Sequence, residues 1–303
     1  MCVVEINRIV VLPLPLLVTL TSIMKFILAL TFSLILSATV SVAQRLHLNA
    51  AVGATNYSGD LQVKRYTFNQ SNPAFALGLS YEFTEKILLR TQFMLGKLTA
   101  HDKYNPLTAM RNLNFTSSLT EGQLVAEYYL RDLTEYAVSP YIFAGVAAFH
   151  FNPYTFDSTG NKHFLQPLST EGQGFFEDRK PYKLTQFAIP FGGGIKLALS
   201  DNIRVGVEMG IRKLFTDYLD DVSMTYVDPN ILVANKGNKT LELAYRGGEV
   251  KNPAGYLTGE NRGSAKFKDW YYFTGVTASI RLGSGDGGGG KGGRSKLGCP
   301  TMH

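Results

Sequence analysis

The run Phe215-Thr216-Asp217-Tyr218-Leu219-Asp220-Asp221-Val222-Ser223 sets three carboxylates within five positions. Carboxylates this dense could gather a hard cation. Calcium, however, takes six to eight oxygens in a characteristic order, and this spacing matches no familiar calcium loop. A solvated or capped turn is the expectation. Histidine is sparse: His47, His101, His150, His163 and His303. A lipid-cleaving site at a membrane rim would need a nucleophile, a base and an acid that orients the base. His150 and Ser139 stand at opposite ends of one strand-like segment, and no acid is spaced to orient the imidazole. Thr170-Glu171-Gly172-Gln173-Gly174 is rich in turn residues but lacks the Lys-Ser/Thr that completes a phosphate loop. Cys2 and Cys299 lie at opposite ends and imply neither a disulfide framework nor a metal pair. The expectation is therefore no catalytic residue, no metal site, no cofactor and no enzyme.

The remaining charges fall into a pattern. Glu82, Arg90, Glu121, Glu127, Lys196, Arg204, Glu208, Arg212 and Arg281 each occupy the polar side of a segment whose other side is apolar. Side chains on a strand alternate between faces. In the hairpin Leu184–Arg212, one arm sets Phe187, Ile189, Phe191, Ile195 and Leu197 against Gln186, Ala188, Gly192, Gly194 and Lys196. The other arm sets Ile203, Val205, Val207, Met209 and Ile211 against Arg204, Gly206, Glu208, Gly210 and Arg212. Arms of about ten residues, apolar outside and small or polar inside, suit a strand that crosses a membrane.

Eight such segments can be read: 46–56, 73–83, 87–98, 117–130, 139–149, the two arms of the hairpin, and 270–282. The fifth is apolar on both faces, which leaves its orientation open. Short connections at Thr84–Lys86, Arg131–Val138 and Ser200–Asn202 alternate with four long ones, 57–72, 99–116, 150–183 and 213–269. Strict alternation of short and long is the habit of outer-membrane barrels, with short periplasmic turns and long outer loops. The expected fold is all-β, an eight-stranded antiparallel transmembrane barrel. An eight-strand interior is just wide enough to fill with side chains. Four acids and five bases inside it must pair or be hydrated, so a plugged, ion-paired lumen is expected, not a pore. Tyr128, Tyr129, Tyr141, Trp270, Tyr271 and Tyr272 fall near strand ends and are expected in interfacial girdles.

Composition agrees with an exported chain. Of 303 residues, 30 are glycine, and the formal charge of +6 is spread without a basic block, so nucleic acid is not an expected partner. Met24-Lys25, the apolar run Phe26–Leu36 and Ser41-Val42-Ala43 read as a signal peptide cleaved after Ala43. Residues 1–43 are the signal region, with Met24 the expected true start. After it no apolar run reaches the roughly 18–20 residues of a spanning helix. Residues 44–282 would be the barrel. Residues 283–303, dense in glycine, would be a flexible periplasmic tail. The expected location is the outer membrane, and outer-membrane lipid is an expected partner.

Several stretches, in this order, resemble a known family: Asn56–Leu61, Arg111–Phe115, Ser139–Gly145, Phe149–Pro153, Leu165–Leu168, Thr170–Gly174 and Arg212–Ser223. They are similar to the PorG-like outer-membrane barrels of Bacteroidetes, over about residues 45–282. The most specific part is the last run, with Phe215, Thr216, Asp217, Tyr218, Asp220 and Asp221. The extra N-terminus and the glycine-rich tail depart from the pattern. The resemblance implies a non-enzymatic component of the type IX secretion system, associated with a periplasmic ring of PorK-like and PorN-like proteins. A general structural or adhesive barrel, binding through its outer loops, is the alternative.

Overall fold

The computed structural model describes residues 45–62, 64–251, 255 and 258–282. The signal region with its cleavage point, and the glycine-rich tail, lie outside the described residues. Eight long strands carry the fold: β1 (Leu46–Ser58), β2 (Asn72–Glu82), β3 (Ile87–His101), β4 (Asn114–Tyr129), β5 (Val138–Phe156), β7 (Thr185–Ala198), β8 (Ile203–Leu214) and β9 (Trp270–Leu282). A short β6 (Lys162–Phe164) pairs only with the far end of β5. All pairings in the barrel are antiparallel. Each strand lies beside its neighbours in sequence, β1 pairs with β9, and β4 pairs with β5, so the sheet closes.

The strands run from 11 to 19 residues. At about 3.3 Å per residue, twelve residues span about 40 Å, or about 30 Å along the axis of a barrel with strands tilted near 40°. That matches the hydrocarbon thickness of a bilayer. Every long strand turns an apolar side chain outward, as with Val52 at 57%, Leu77 at 64%, Val146 at 61% and Val276 at 58% exposed. Soluble proteins rarely leave a continuous apolar band of this kind uncovered. The barrel is therefore of the membrane-spanning type, and lipid is the solvent that its outer face requires.

β5 differs most from its sequence reading. It runs to Phe156, well past Phe149, because Thr116–Glu121 of β4 continues the ladder along it. Closure also settles its faces. Ser139, Tyr141, Phe143, Ala147 and Phe149 point in, whereas Ile142 and Val146 are exposed to the outside.

The short connections follow β2, β4 and β7. At the opposite end the long connections fold into a cap. The longest contains α1 (Pro229–Lys236), capped by the Asp228 side chain, and α2 (Asn238–Ala244). Among the described residues no helix is long and apolar enough to cross a membrane. The largest apolar cluster lies at the cap end of the lumen, where Phe115, Phe149, Phe151, Leu61, Leu219 and Leu243 pack together.

Candidate functional site

The lumen is filled by ion pairs in three tiers. Nearest the short turns, Glu82 binds Arg204 at 2.7 Å and Arg281 at 2.9 Å, with His47 at 3.3 Å. In the middle, Arg90 lies 2.8 Å from both Glu127 and Glu208, and Lys196 lies 2.7 Å from Glu127. Tyr141 donates to Glu208 at 2.7 Å, and Lys196 donates to Tyr129 at 2.9 Å. Nearest the cap, Arg212 lies 3.0 Å from Glu121, which also accepts from the Tyr271 hydroxyl. All nine charged side chains singled out from the sequence point inward, and each has an opposite charge against it.

Glycine makes room for this packing. A Cβ on Gly194 would meet the Val207 carbonyl and fall 2.8 Å from the Tyr141 ring, and one on Gly192 would meet the Met209 carbonyl and fall 2.9 Å from Phe143. Gly192 and Gly194 of β7 thus lie close under the β8 backbone and leave the space into which Phe143 and Tyr141 of β5 lean. The expected girdle needs correction for the same reason. Tyr129, Tyr141 and Tyr271 are buried in the lumen, while Tyr128 is exposed outside. Tyr272 is covered from outside by Tyr66, with ring centroids 5.9 Å apart. A phenol can fill a narrow lumen and still hydrogen-bond a carboxylate. Strand parity carried this signal, since Tyr271 shares the side of Phe273 and Gly275.

Above the lumen lies a second buried network. The carboxylate-rich run is not a solvated turn, because Asp217, Asp220 and Asp221 are at most 3% exposed. Of its neighbours, Thr216 and Tyr218 are also covered in part or whole, whereas Phe215 is 59% exposed. Asp220 caps the turn by accepting from the Val222 amide at 2.9 Å, and it takes the Tyr57 hydroxyl at 2.5 Å. The same hydroxyl lies 3.3 Å from Asp269. Asp221 accepts from Thr170 at 2.5 Å and Tyr182 at 2.7 Å. Glu171 pairs with Arg262 at 3.0 Å and accepts from the Ser223 and Met224 amides at 3.0 and 2.9 Å. Arg262 also donates to the Asp221 carbonyl, and Arg111 holds Asp102 at 2.7 Å while reaching the Asp60 and Arg262 carbonyls. Stretches from all four long connections, far apart in sequence, thus meet at one point.

Burial governs the acids of the cap. It pushes Asp217 up to about 7, against the Ser223 hydroxyl that partly holds its charge. It pushes Asp221 up to about 6 even with Arg262 beside it. Asp220 and Asp269 are pushed well above the usual carboxylate range, by burial first and then by neighbouring acids. Two carboxylates around one phenol cannot both stay charged cheaply in a dry site. Among the described residues no three His, Cys, Asp or Glu converge as a metal would require.

The other residues with possible chemistry are apart. Ser139 faces inward and donates to the Arg131 carbonyl at 2.7 Å. His150 faces outward, its Nδ1 2.9 Å from the Thr185 hydroxyl. Lying on opposite faces of β5, the two cannot share a proton. His163 binds Asp157 at 2.9 Å in the β5–β6 hairpin, where Asp157 also accepts from Thr159.

A family model described as Domain of unknown function (DUF6089) matches residues 24–230. No curated protein matches the chain. Several solved structures are similar. Neisserial surface protein A is 9% identical over 78% of this chain and 96% of its own, with a TM-score of 0.40. The outer membrane protein OprG of Pseudomonas aeruginosa is 12% identical over 79% and 97%, with a TM-score of 0.38. Ail, the attachment invasion locus protein of Yersinia pestis, is 9% identical over 78% and 99%, with a TM-score of 0.35.

Proposed function

The chain belongs to the DUF6089 family, and from that premise we propose that it is a non-conducting, non-enzymatic scaffold, integral to the outer membrane. The observation that carries this reading is the lumen. Three tiers of paired charge fill it, and a folded cap covers one end. A pore needs a hydrated path, and a rim enzyme needs a nucleophile beside its base. What remains for such a barrel is to hold something at the membrane.

More finely, we propose that it serves the type IX secretion machinery by anchoring a periplasmic ring. The PorG-like resemblance supports this reading. Most of the stretches that carry the resemblance meet in the cap, whereas Ser139–Gly145 begins β5 just after a short turn. Ring contacts would therefore fall to the short turns at the other end. There a polar crevice of about 590 Å³ is lined by Glu85, Lys86, Arg131, Asp132, Glu135 and Tyr136. Hydrogen bonding and charge repulsion from Asp132 raise the Glu85 carboxyl, as expected of two acids set side by side.

The test is a gentle-detergent pull-down of the tagged chain from its own outer membranes, read by mass spectrometry. Ring proteins should come with the wild-type chain and be lost with Glu85→Lys/Asp132→Lys. Recovery of the barrel alone, with the ring intact elsewhere, would refute the anchoring role. It would favour an adhesive barrel, a reading that the ordered outer cap makes the natural second choice.

A further inference from the structure

Where the long loops meet the outer face of β7, β8 and β9, a crevice of about 620 Å³ opens to the surface. Its floor is apolar. Phe191, Ile211 and Tyr272 stand side by side in register on three neighbouring strands, and Trp270 packs near Phe191 with ring centroids 6.3 Å apart. Its upper wall is cationic, formed by Arg65 of the first long loop and Lys268 of the last. Both are exposed, and among the described residues neither is in an ion pair. Lys268 donates to the Ala265 carbonyl at 3.1 Å, and its charge also reaches the buried Asp217 carboxyl. Asp60 also lines the crevice, but one of its oxygens is taken by the Ser264 amide at 2.9 Å.

Phe267 lines the opening, and Phe68 joins the crevice only through Tyr66, whose ring meets Tyr272. Phe267, between Lys266 and Lys268, is 70% exposed, and Phe68, which stacks edge-on against Tyr66, is 87% exposed. Such exposure is unfavourable in water. It is natural at the boundary of a bilayer, where aromatic rings settle among headgroups and basic side chains reach for phosphate. Apolar surface below and exposed cations above is the polarity of a lipid in the leaflet on the loop side. Guanidinium and ammonium groups are the side chains that recognise phosphate.

We propose that this crevice binds a phosphorylated lipid of the outer leaflet, with acyl chains against Phe191 and Ile211 and phosphate between Arg65 and Lys268. This rests on the reading of the chain as an outer-membrane barrel with its long loops outside. The lipid would bridge the first and last long loops, since Arg65 and Lys268 come from one each.

The experiment folds the full chain into phosphatidylcholine nanodiscs doped with bisphosphorylated lipid A, or with the same lipid after removal of its phosphates. Bound lipid is counted by native mass spectrometry. The wild-type chain and a control of equal charge change on the third long connection, Lys162→Gln/Lys180→Gln, should retain the phosphorylated lipid. Arg65→Gln/Lys268→Gln should retain about tenfold less, and the dephosphorylated lipid should not be held by any of them. Equal retention by both variants, or of both lipids, would overturn the proposal. Heat-modifiable gel mobility in the same nanodiscs separates the two levels of inference. A chain that inserts but shows no preference sinks the crevice alone, whereas one that never inserts sinks the membrane reading with it.

Discussion

Replacing Arg90 by Met should cost the barrel about 3–5 kcal/mol, the usual loss when one partner of a buried ion pair is removed. Arg90 is 2% exposed and lies 2.8 Å from two carboxylates. The two are not left equal. Glu127 keeps Lys196 at 2.7 Å, whereas Glu208 keeps only the Tyr141 hydroxyl at 2.7 Å. Most of the loss therefore comes from the stranded charge on Glu208. Removing that charge as well, in Arg90→Met/Glu208→Gln, should bring the loss down to about 1 kcal/mol, so the double-mutant cycle should show a coupling of about 2 kcal/mol or more. The assay is urea unfolding of the barrel in lipid vesicles, followed by the fluorescence of Trp270, the one tryptophan. At about 2 kcal/mol per molar urea, 4 kcal/mol moves the midpoint by about 2 M. A single variant within about 0.5 M of wild type, or a cycle with no coupling, would refute the reasoning. Either would mean that water reaches these charges and that the lumen is not packed.

Gly194→Ala should lose about 1–3 kcal/mol in the same assay by pressing on the Val207 carbonyl of β8 and on the Tyr141 ring, and Tyr141→Phe should not relieve it, because the backbone carbonyl and the ring both remain. The cap should respond to pH. Asp217 and Asp221, at about 7 and about 6, bind protons more tightly folded than unfolded. Their stabilisation is complete below the ordinary aspartate value and is lost as pH rises through 6 to 7. For Asp221 the two-unit rise corresponds to about 3 kcal/mol at most. Amide exchange in residues 215–251, corrected for intrinsic rate, should therefore be slower at pH 5 than at pH 8, and Asp217→Asn/Asp221→Asn should flatten much of the difference. Arg262→Met leaves Glu171 and Asp221 without their buried cation, so protease should cut the last long loop sooner while the barrel keeps its heat-modifiable mobility. Equal cutting of variant and wild type would show that the cap does not depend on that pair.

Much of the barrel could be read in the sequence because its signals are local. Alternation with period two assigns faces residue by residue, and the lengths of the connections order the ends. Side-chain parity puts Glu82, Arg90 and Glu208 on inward faces without any knowledge of what they meet. It did not suffice for β5, which is apolar on both sides, and there register against β4 and β7 made the choice. Tyr129, Tyr141 and Tyr271 turn inward, unlike Tyr128, because parity sets the face and nearness to a strand end does not. Only closure decided the partners. Arg204 reaches Glu82 from 122 residues away, and Arg262 reaches Glu171 from 91, distances at which one sequence holds no record of pairing. The burial of the Asp217–Asp221 run belongs to the tertiary structure for the same reason. In the chain it is a polar turn, and only when all four long loops converge does it lose its water and become the centre of the cap.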